Sequence, residues 1–494
     1  APYGAQQCQL ADVIDFRPVL FITGALMSTL AVAMCLPAIF DLIVGNPNWQ
    51  VFLLAAALTL FIGIMLVLMT RDNVRKISIR QAFVLTTVVW VVIPSFAALP
   101  LAFADLQLSY TDAFFEAMSG LTTTGSTVML GLDSTPPGIL LWRALLQWLG
   151  GIGIIAMAIV ILPLLQVGGM QLFRMESSDT SDKVMPRTTQ IVTYISVLYV
   201  ALTALCAVLY WAGGMSGFDA VTHAMTTIAT GGFSTHDASV GYFNSPAIDA
   251  TATMFMLIGG MPFVLYLQAL RGAPLRLIRD SQVRWFLATV VIAVLSMWFY
   301  LEGDLEGQVF KNFLRVAFNV VSVITGTGYS TEDYSAWGPF AVSVLFFLMF
   351  VGGCAGSTTC GIKIFRFQVL YATAKNQMYR LLQPHGVFIP YYNRRPIPET
   401  VTESVMGFFF LYALAFAVIA MGLGLLGLDF LTAASGAATA ISNVGPGLGP
   451  RIGPAGTFAT LPDAAKWLLS FGMLLGRLEL FTVLVLLLPS FWRK

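Results

Sequence analysis

Four short stretches of this chain combine hydroxyl-bearing or small residues with a closing glycine: Thr122, Thr123, Thr124, Gly125; Ala229, Thr230, Gly231, Gly232; Thr325, Gly326, Thr327, Gly328; and Ser442, Asn443, Val444, Gly445. The chemistry they offer belongs to the backbone. Carbonyl oxygens presented in rings can replace the hydration shell of a cation. Glycine suits such a turn because inward-pointing carbonyls need dihedrals that a β-carbon penalises. Enzymatic motifs are missing: the chain has no HExxH, GxSxG or GxGD, and its three histidines, His223, His236 and His385, are far apart. An intramembrane enzyme is therefore disfavoured.

A second group of residues sits badly in a helix. The run Gly352, Gly353, Gly356, Ser357, Thr358, Thr359 and Gly361 interrupts an apolar segment, and each glycine there costs about 1 kcal/mol relative to alanine. Non-helical backbone at membrane depth is tolerated only when buried in protein or lining water. The run is therefore expected to break its helix and obstruct a permeation path below the third glycine loop, with close helix packing through small residues as the alternative. A phosphate loop fails, because Ile362 stands where the Walker lysine belongs and Lys363 is followed by Ile364. Arg477 lies in the middle of an apolar helix, where a charge costs roughly 2.5–3.5 kcal/mol and must face a cavity or a partner. Glu479, two positions on, lies on another helical face. Arg477 is expected to face the path below the loops as an electrostatic barrier, with a salt bridge to another repeat as the alternative.

The loops are copies of one unit. Asp112 to Gly125 aligns without a gap on Asp219 to Gly232, and TGGFST at 230–235 aligns on GTGYST at 326–331. A hydroxyl residue stands six positions before each closing glycine: Ser119, Thr226, Ser322 and Thr439. Small residues recur after each loop, at Gly150, Gly259, Gly352 and Gly476. Glu116 and His223 occupy equivalent positions and are read as hydrogen-bonding supports of their loops. Asp112 and Asp219 are read as caps of free helix amides.

Holding four such loops together requires a membrane. Of 494 residues, 57% are hydrophobic and 10% charged, against roughly 25% charged in a soluble domain. A soluble enzyme and a disordered chain are both excluded. With a net charge of +1 and no basic tract, nucleic acid has no footprint to bind. Five cysteines without a CxxC pair suggest neither a disulfide framework nor a metal site. A span needs about 20 apolar residues. Ten segments qualify, at 18–44, 50–70, 81–104, 138–165, 190–213, 250–270, 284–301, 339–364, 404–427 and 464–490. Shorter apolar stretches near 109–121, 216–228, 309–324 and 428–441 read as re-entrant helices whose C-terminal dipole ends favour a cation.

The expected fold is an all-α polytopic membrane protein. Residues 1–80 form an N-terminal helix pair, and four tandem repeats of helix, re-entrant pore helix, filter loop and helix follow at 81–187, 188–283, 284–400 and 401–494 around a pseudo-fourfold pore. Residues 1–17 have neither the basic stretch nor the short apolar core of a cleavable signal. The first apolar segment is expected to be retained. With the N-terminus in the cytoplasm, 20 of the 26 basic residues fall on that side, among them Arg75, Lys76, Arg174, Lys183, Arg187, Lys363, Arg366, Arg394 and Lys494. Acids such as Asp133, Glu302, Asp304 and Glu306 fall outside. This bias places both termini in the cytoplasm.

The motifs TTTGST at 122–127, ATGGFST at 229–235, TGTGYST at 325–331, SNVGPG at 442–447, GGCAGSTTCGIKIFR at 352–366 and GRLE at 476–479 together resemble the Trk/Ktr/HKT superfamily of potassium transporters, most of all the bacterial Trk membrane subunit. The resemblance covers residues 18–494. It implies a potassium-selective pore with one filter glycine per repeat, here Gly125, Gly232, Gly328 and Gly445, and potassium held by the loop carbonyls. It also implies an obstructing loop in the third repeat, a homodimer in the bacterial inner membrane, and a cytoplasmic ring of nucleotide-binding, RCK-type subunits docked beneath it. The basic segments 271–284 and 366–395 are the expected docking surface, lipid headgroups being the alternative partner for those charges. Potassium is the substrate, and no organic cofactor is expected on this chain. The fourth loop departs from the threonine-rich pattern at Asn443 and Val444. Gated potassium uptake is the expected function. A sodium- or proton-coupled secondary transporter is the alternative, disfavoured because the repeats are parallel and only Arg477 and Glu479 lie deep.

Overall fold

A computed structural model describes residues 14–71, 77–160, 188–301, 309–393 and 395–493. Arg75, Lys76, Arg174, Lys183, Arg187, Glu302, Asp304, Glu306, Arg394 and Lys494, used above to orient the chain, lie outside the described residues, as do the ends of the first repeat and of the expected N-terminal segment.

The described chain is almost entirely helical, with one two-stranded hairpin, Tyr391–Tyr392 with Arg395–Pro396. It opens with a helical hairpin, Arg17–Val44 and Trp49–Thr70, turned at Gly45. Gly24 and Gly63 let the two backbones touch: a β-carbon on Gly24 would stand 2.7 Å from the Gly63 carbonyl oxygen. Close approach through small residues replaces the hydrophobic drive that lipid cannot supply. Asp41 of the first helix is buried, and its Oδ1 accepts the Gly138 amide at 2.8 Å. It thereby caps the helix Pro137–Val160 and seats the hairpin on the first repeat. A Ser78/Gln81 capping box starts the next helix, Ile79–Ala97.

Four short helices follow at the expected places: Tyr110–Leu121, Gly217–Ile228, Val309–Ile324 and Phe430–Ser442. Ser109 and Ser216 cap the first two by accepting the amides of Asp112 and Asp219, and Asp429 caps the fourth. The caps are therefore the serines. Asp112 and Asp219 sit one turn in, each taking a hydrogen bond from its serine.

Burial is greatest at these short helices. Every residue from Ala113 to Leu121 and from Thr432 to Ser442 is buried. In the apolar windows of Trp49–Thr70 and Glu399–Leu425 only 28% and 22% are. The long helices thus present Leu, Ile and Phe outward over most of their surface, as lipid-facing spans do.

Among the described residues seven helices are long and apolar enough to cross a membrane, or nine if each of two bent pairs counts as one span. Ten were expected. The difference lies in the second long helices of the repeats. Pro246–Gly259 and Phe263–Leu270 meet at 95°, and Asp463–Arg477 and Phe481–Leu487 at 108°. The expected span 339–364 is a 10-residue helix, Pro339–Leu348, followed by irregular chain up to Ile364. Only the first repeat's helix, Pro137–Val160, runs unbroken through its described residues.

Candidate functional site

All four short helices end in one way. The amide of the residue before each closing glycine turns back to the carbonyl of the hydroxyl residue: Thr124 to Ser119 (2.9 Å), Gly231 to Thr226 (2.8 Å), Thr327 to Ser322 (2.9 Å) and Val444 to Thr439 (3.1 Å). This is a Schellman closure, and it requires a left-handed residue just before that amide. Thr123 (φ 53°), Thr230 (φ 50°), Gly326 (φ 66°) and Asn443 (φ 53°) occupy that position. Asparagine tolerates it better than most residues, so Asn443 suits the position its threonine counterparts hold in the first two loops. The closing glycines follow at φ 88°, 77°, 80° and 113°.

The loops meet in ring order. A β-carbon on Gly125 would stand 2.2 Å from the Gly231 carbonyl oxygen, on Gly232 1.9 Å from that of Thr327, on Gly328 2.2 Å from that of Val444, and on Gly445 2.8 Å from that of Thr124. Each glycine thus lies against the carbonyl that precedes the next glycine, and the fourth contact returns to the first loop. Cross-links join the copies: Asn443 Nδ2 donates to Thr124 Oγ1 (2.8 Å), and Ser126 Oγ donates to the Gly445 carbonyl (2.6 Å).

In three of the four copies the side chain nine positions before the closing glycine holds the segment that leaves its loop. Glu116 accepts from Thr127 Oγ1 and from the Val128 amide at 2.9 Å each. His223 Nε2 pairs with Ser234 Oγ (2.9 Å), and Asn319 grips Thr331 through hydroxyl and amide. In the fourth copy the equivalent residue is Gly436, and neighbouring Ser435 accepts the Leu448 amide (2.9 Å). Arg143 escaped sequence reasoning. Its Nε meets Glu116 at 2.8 Å, while its other nitrogens reach the Ser234 carbonyl (3.0 Å) and Thr127 (3.2 Å), with the guanidinium over Phe233. Its spacing from Glu116 crosses a loop, so no local periodicity reveals the pair. In the segment before Pro137–Val160, a hydrogen bond from His236 holds the Asp133 carboxyl below the usual carboxylate range.

Below the loops, the glycine-rich run is irregular as expected. It borrows the carbonyls freed where Pro246–Gly259 ends: Cys354 donates to Gly260 (2.9 Å), and Thr358 donates to Gly259 through its amide (3.2 Å) and hydroxyl (3.0 Å). Thr230 of the second loop donates to Thr358 Oγ1 at 3.2 Å, so loop and run touch directly. Gly352 and Ile362 close its base by pairing amide to carbonyl at 2.9 Å, while Gly353 and Ser357 bond Thr359 Oγ1 and Gly356 accepts from Phe263.

Arg477 ends the helix Asp463–Arg477, where a cation meets the negative end of the dipole. It is 1% exposed. It donates to the Thr358 carbonyl (3.3 Å) and to Cys360 in the third repeat, and to the Gly150 carbonyl (3.0 Å) in the first. With Ser357, Thr359, Cys360 and Gly361 it lines a cavity of about 20 Å³, room for one water. Its hydrogen-bond partners are neutral and its guanidinium lies over the Trp90 ring at 5.6 Å, while Glu479 pairs with Arg366.

Two expectations need correction. Arg477 and Glu479 are not the only deep ionisable groups, since Glu116, Arg143, Lys363, Arg366 and Lys466 are also buried. Lys363, counted among the cytoplasmic charges, donates to the Thr359 carbonyl, and Arg366, the first residue of the expected docking segment 366–395, stacks on Phe408 at 3.7 Å and is buried, so it does not belong to that surface. A basic residue next to a polar run looks cytoplasmic in sequence; the run itself is folded inward and takes its cations with it.

Comparison with known proteins bears on this arrangement. The TrkH family model, described as a cation transport protein, matches residues 48–494. The Trk system potassium uptake protein TrkI of Halomonas elongata is 49% identical over 482 residues, covering 97% of each chain. The Trk system potassium uptake protein TrkH of Escherichia coli K12 is 39% identical, covering 97% of this chain and all of that one. The crystal structure of the potassium transporter TrkH from Vibrio parahaemolyticus superposes with a TM-score of 0.90 at 37% identity, over 97% of this chain and 100% of that one.

Proposed function

This chain belongs to the TrkH family of cation transport proteins, membrane transporters and not enzymes, and from that premise we propose that it takes up potassium through a gated pore built of four repeats. The ring order of the four glycine loops is the observation that carries this reading. In it the carbonyls of Thr122 to Gly125, Ala229 to Gly232, Thr325 to Gly328 and Ser442 to Gly445 replace the water shell of a potassium ion, which passes as cargo. Because each loop leans on the next, the ring resists shrinking around a smaller ion.

The run from Gly352 to Gly361 is the gate, lying under the second loop at the Thr230 to Thr358 contact. Arg477 pins it to the first repeat and puts positive charge beside the path. Opening requires a free-energy difference supplied from elsewhere. We assign that to a cytoplasmic nucleotide-binding ring beneath a homodimer, docked on the exposed Arg276, Arg279 and Arg284, with both termini on the cytoplasmic side of the inner membrane. Cells stripped of their own potassium uptake test the function: expression of this chain is expected to restore growth at low potassium. Unchanged growth with the protein present in the membrane would overturn the reading.

A further inference from the structure

The small residues that follow each loop, Gly150, Gly259, Gly352 and Gly476, put Gln147, Met256, Met349 and Met473 in one register, three positions earlier. All four side chains are buried. Glutamine and methionine are close in length and volume, so the exchange barely alters packing. It does place an amide where the other copies have a thioether, and a buried amide without partners is costly.

This amide has partners on both sides of a filter glycine. Nε2 donates to the Gly231 carbonyl at 2.6 Å, and Oε1 accepts the Phe233 amide at 3.0 Å. Those two peptide groups flank Gly232. Gln147 itself stands on Pro137–Val160 of the preceding repeat, so the grip crosses a repeat boundary. The fit is tight: a β-carbon on Gly231 would lie 2.4 Å from Gln147 Cδ. The gripped carbonyl is also the one against which Gly125 packs. Side chain, second loop and first loop therefore form one contact, and the methionines have no donor with which to make an equivalent one.

We infer that Gln147 is a positioning residue for ion discrimination, fixing the peptide groups on either side of Gly232 and with them the coordinating geometry of the second loop. The inference rests on the reading of the loops as potassium ligands. Gln147→Met is the informative variant, because three other repeats already accommodate methionine there. Purified full-length protein in liposomes is assayed for rubidium and sodium flux, with thermal unfolding in detergent measured alongside. The variant is expected to unfold near the parental temperature and to keep passing rubidium, while its preference for rubidium over sodium falls at least about fivefold, which is about 1 kcal/mol of discrimination. A purely structural role would move the unfolding temperature and leave the preference intact. Parental preference in a conducting Gln147→Met protein overturns the inference; should that variant fail to accumulate, Gln147→Leu is read in the same assay by the same criterion. A parent that passes both ions equally overturns the potassium reading and this inference with it, a result distinct from selectivity that survives the substitution.

Discussion

A serine at Gly125 would carry its β-carbon to 2.2 Å from the Gly231 carbonyl oxygen and would hold a left-handed φ of 88°. Gly125→Ser is therefore expected to lower potassium over sodium discrimination by displacing two loops at once. At Gly445 the clearance is wider, 2.8 Å, and Gly445→Ser is expected to cost less. Relative rubidium and sodium flux in liposomes checks the order; equal losses would contradict it. Arg143→Ala leaves Glu116 buried beside an empty site, and breaking a buried pair in this way costs about 3–5 kcal/mol. Thermal unfolding should register it. Lysine cannot substitute, since one guanidinium serves Glu116, Ser234 and Thr127 together. At this scale the glycines and hydroxyls were legible because four copies repeat them. Arg143 and Gln147 were not, because each occurs in one copy only: Arg143 meets Glu116 across the loop of its own repeat, and Gln147 meets partners in the next repeat.

In the first and fourth repeats the helix after the loop approaches its short helix through a small residue. A β-carbon on Gly150 would stand 1.9 Å from the Leu121 carbonyl oxygen, and one on Gly476 2.1 Å from that of Ile441. Gly150→Ala is expected to push the first short helix aside, an overpacking that costs about 1–3 kcal/mol, and to reduce flux. Gly153→Ala meets nothing within 4 Å and serves as the silent control. For the gate, deletion of Gly356 to Thr359, or Arg477→Ala, is expected to raise basal conduction measured in liposomes without any soluble partner. If both proteins stay folded and conduct like the parent, the run is packing and not a gate. The short helices were readable to within about two residues from apolar length and the glycine that ends them. The bends after Gly259 and Arg477 were not: an apolar run carries no record of where its carbonyls find a partner outside the helix, and at Gly259 the partners are the Cys354 and Thr358 amides of another repeat.

For the molecule as a whole, four units of one chain close a ring that no single unit can close. The proposed pore rests on the internal alignment of four parallel repeats, each a helix pair around a re-entrant helix; nothing in that alignment foretold the bending of the outer frame. The burial of Arg366 removes it from the candidate docking surface; Lys375 and Arg380 stay exposed there, and on the other basic segment so do Arg276, Arg279 and Arg284. Reversal of those three charges is expected to abolish co-purification of a soluble nucleotide-binding partner from the native membrane while leaving unregulated flux intact; regulated flux that survives the reversal would place the partner elsewhere. The central claim is that potassium crosses through the loop ring down its own gradient. Rubidium uptake into liposomes holding only the purified chain, with a potassium gradient imposed and sodium and proton gradients abolished, tests it most directly. The account predicts basal, sodium-excluding rubidium uptake under those conditions that rises in Arg477→Ala, and uptake that appears only when a sodium or proton gradient is restored would contradict it.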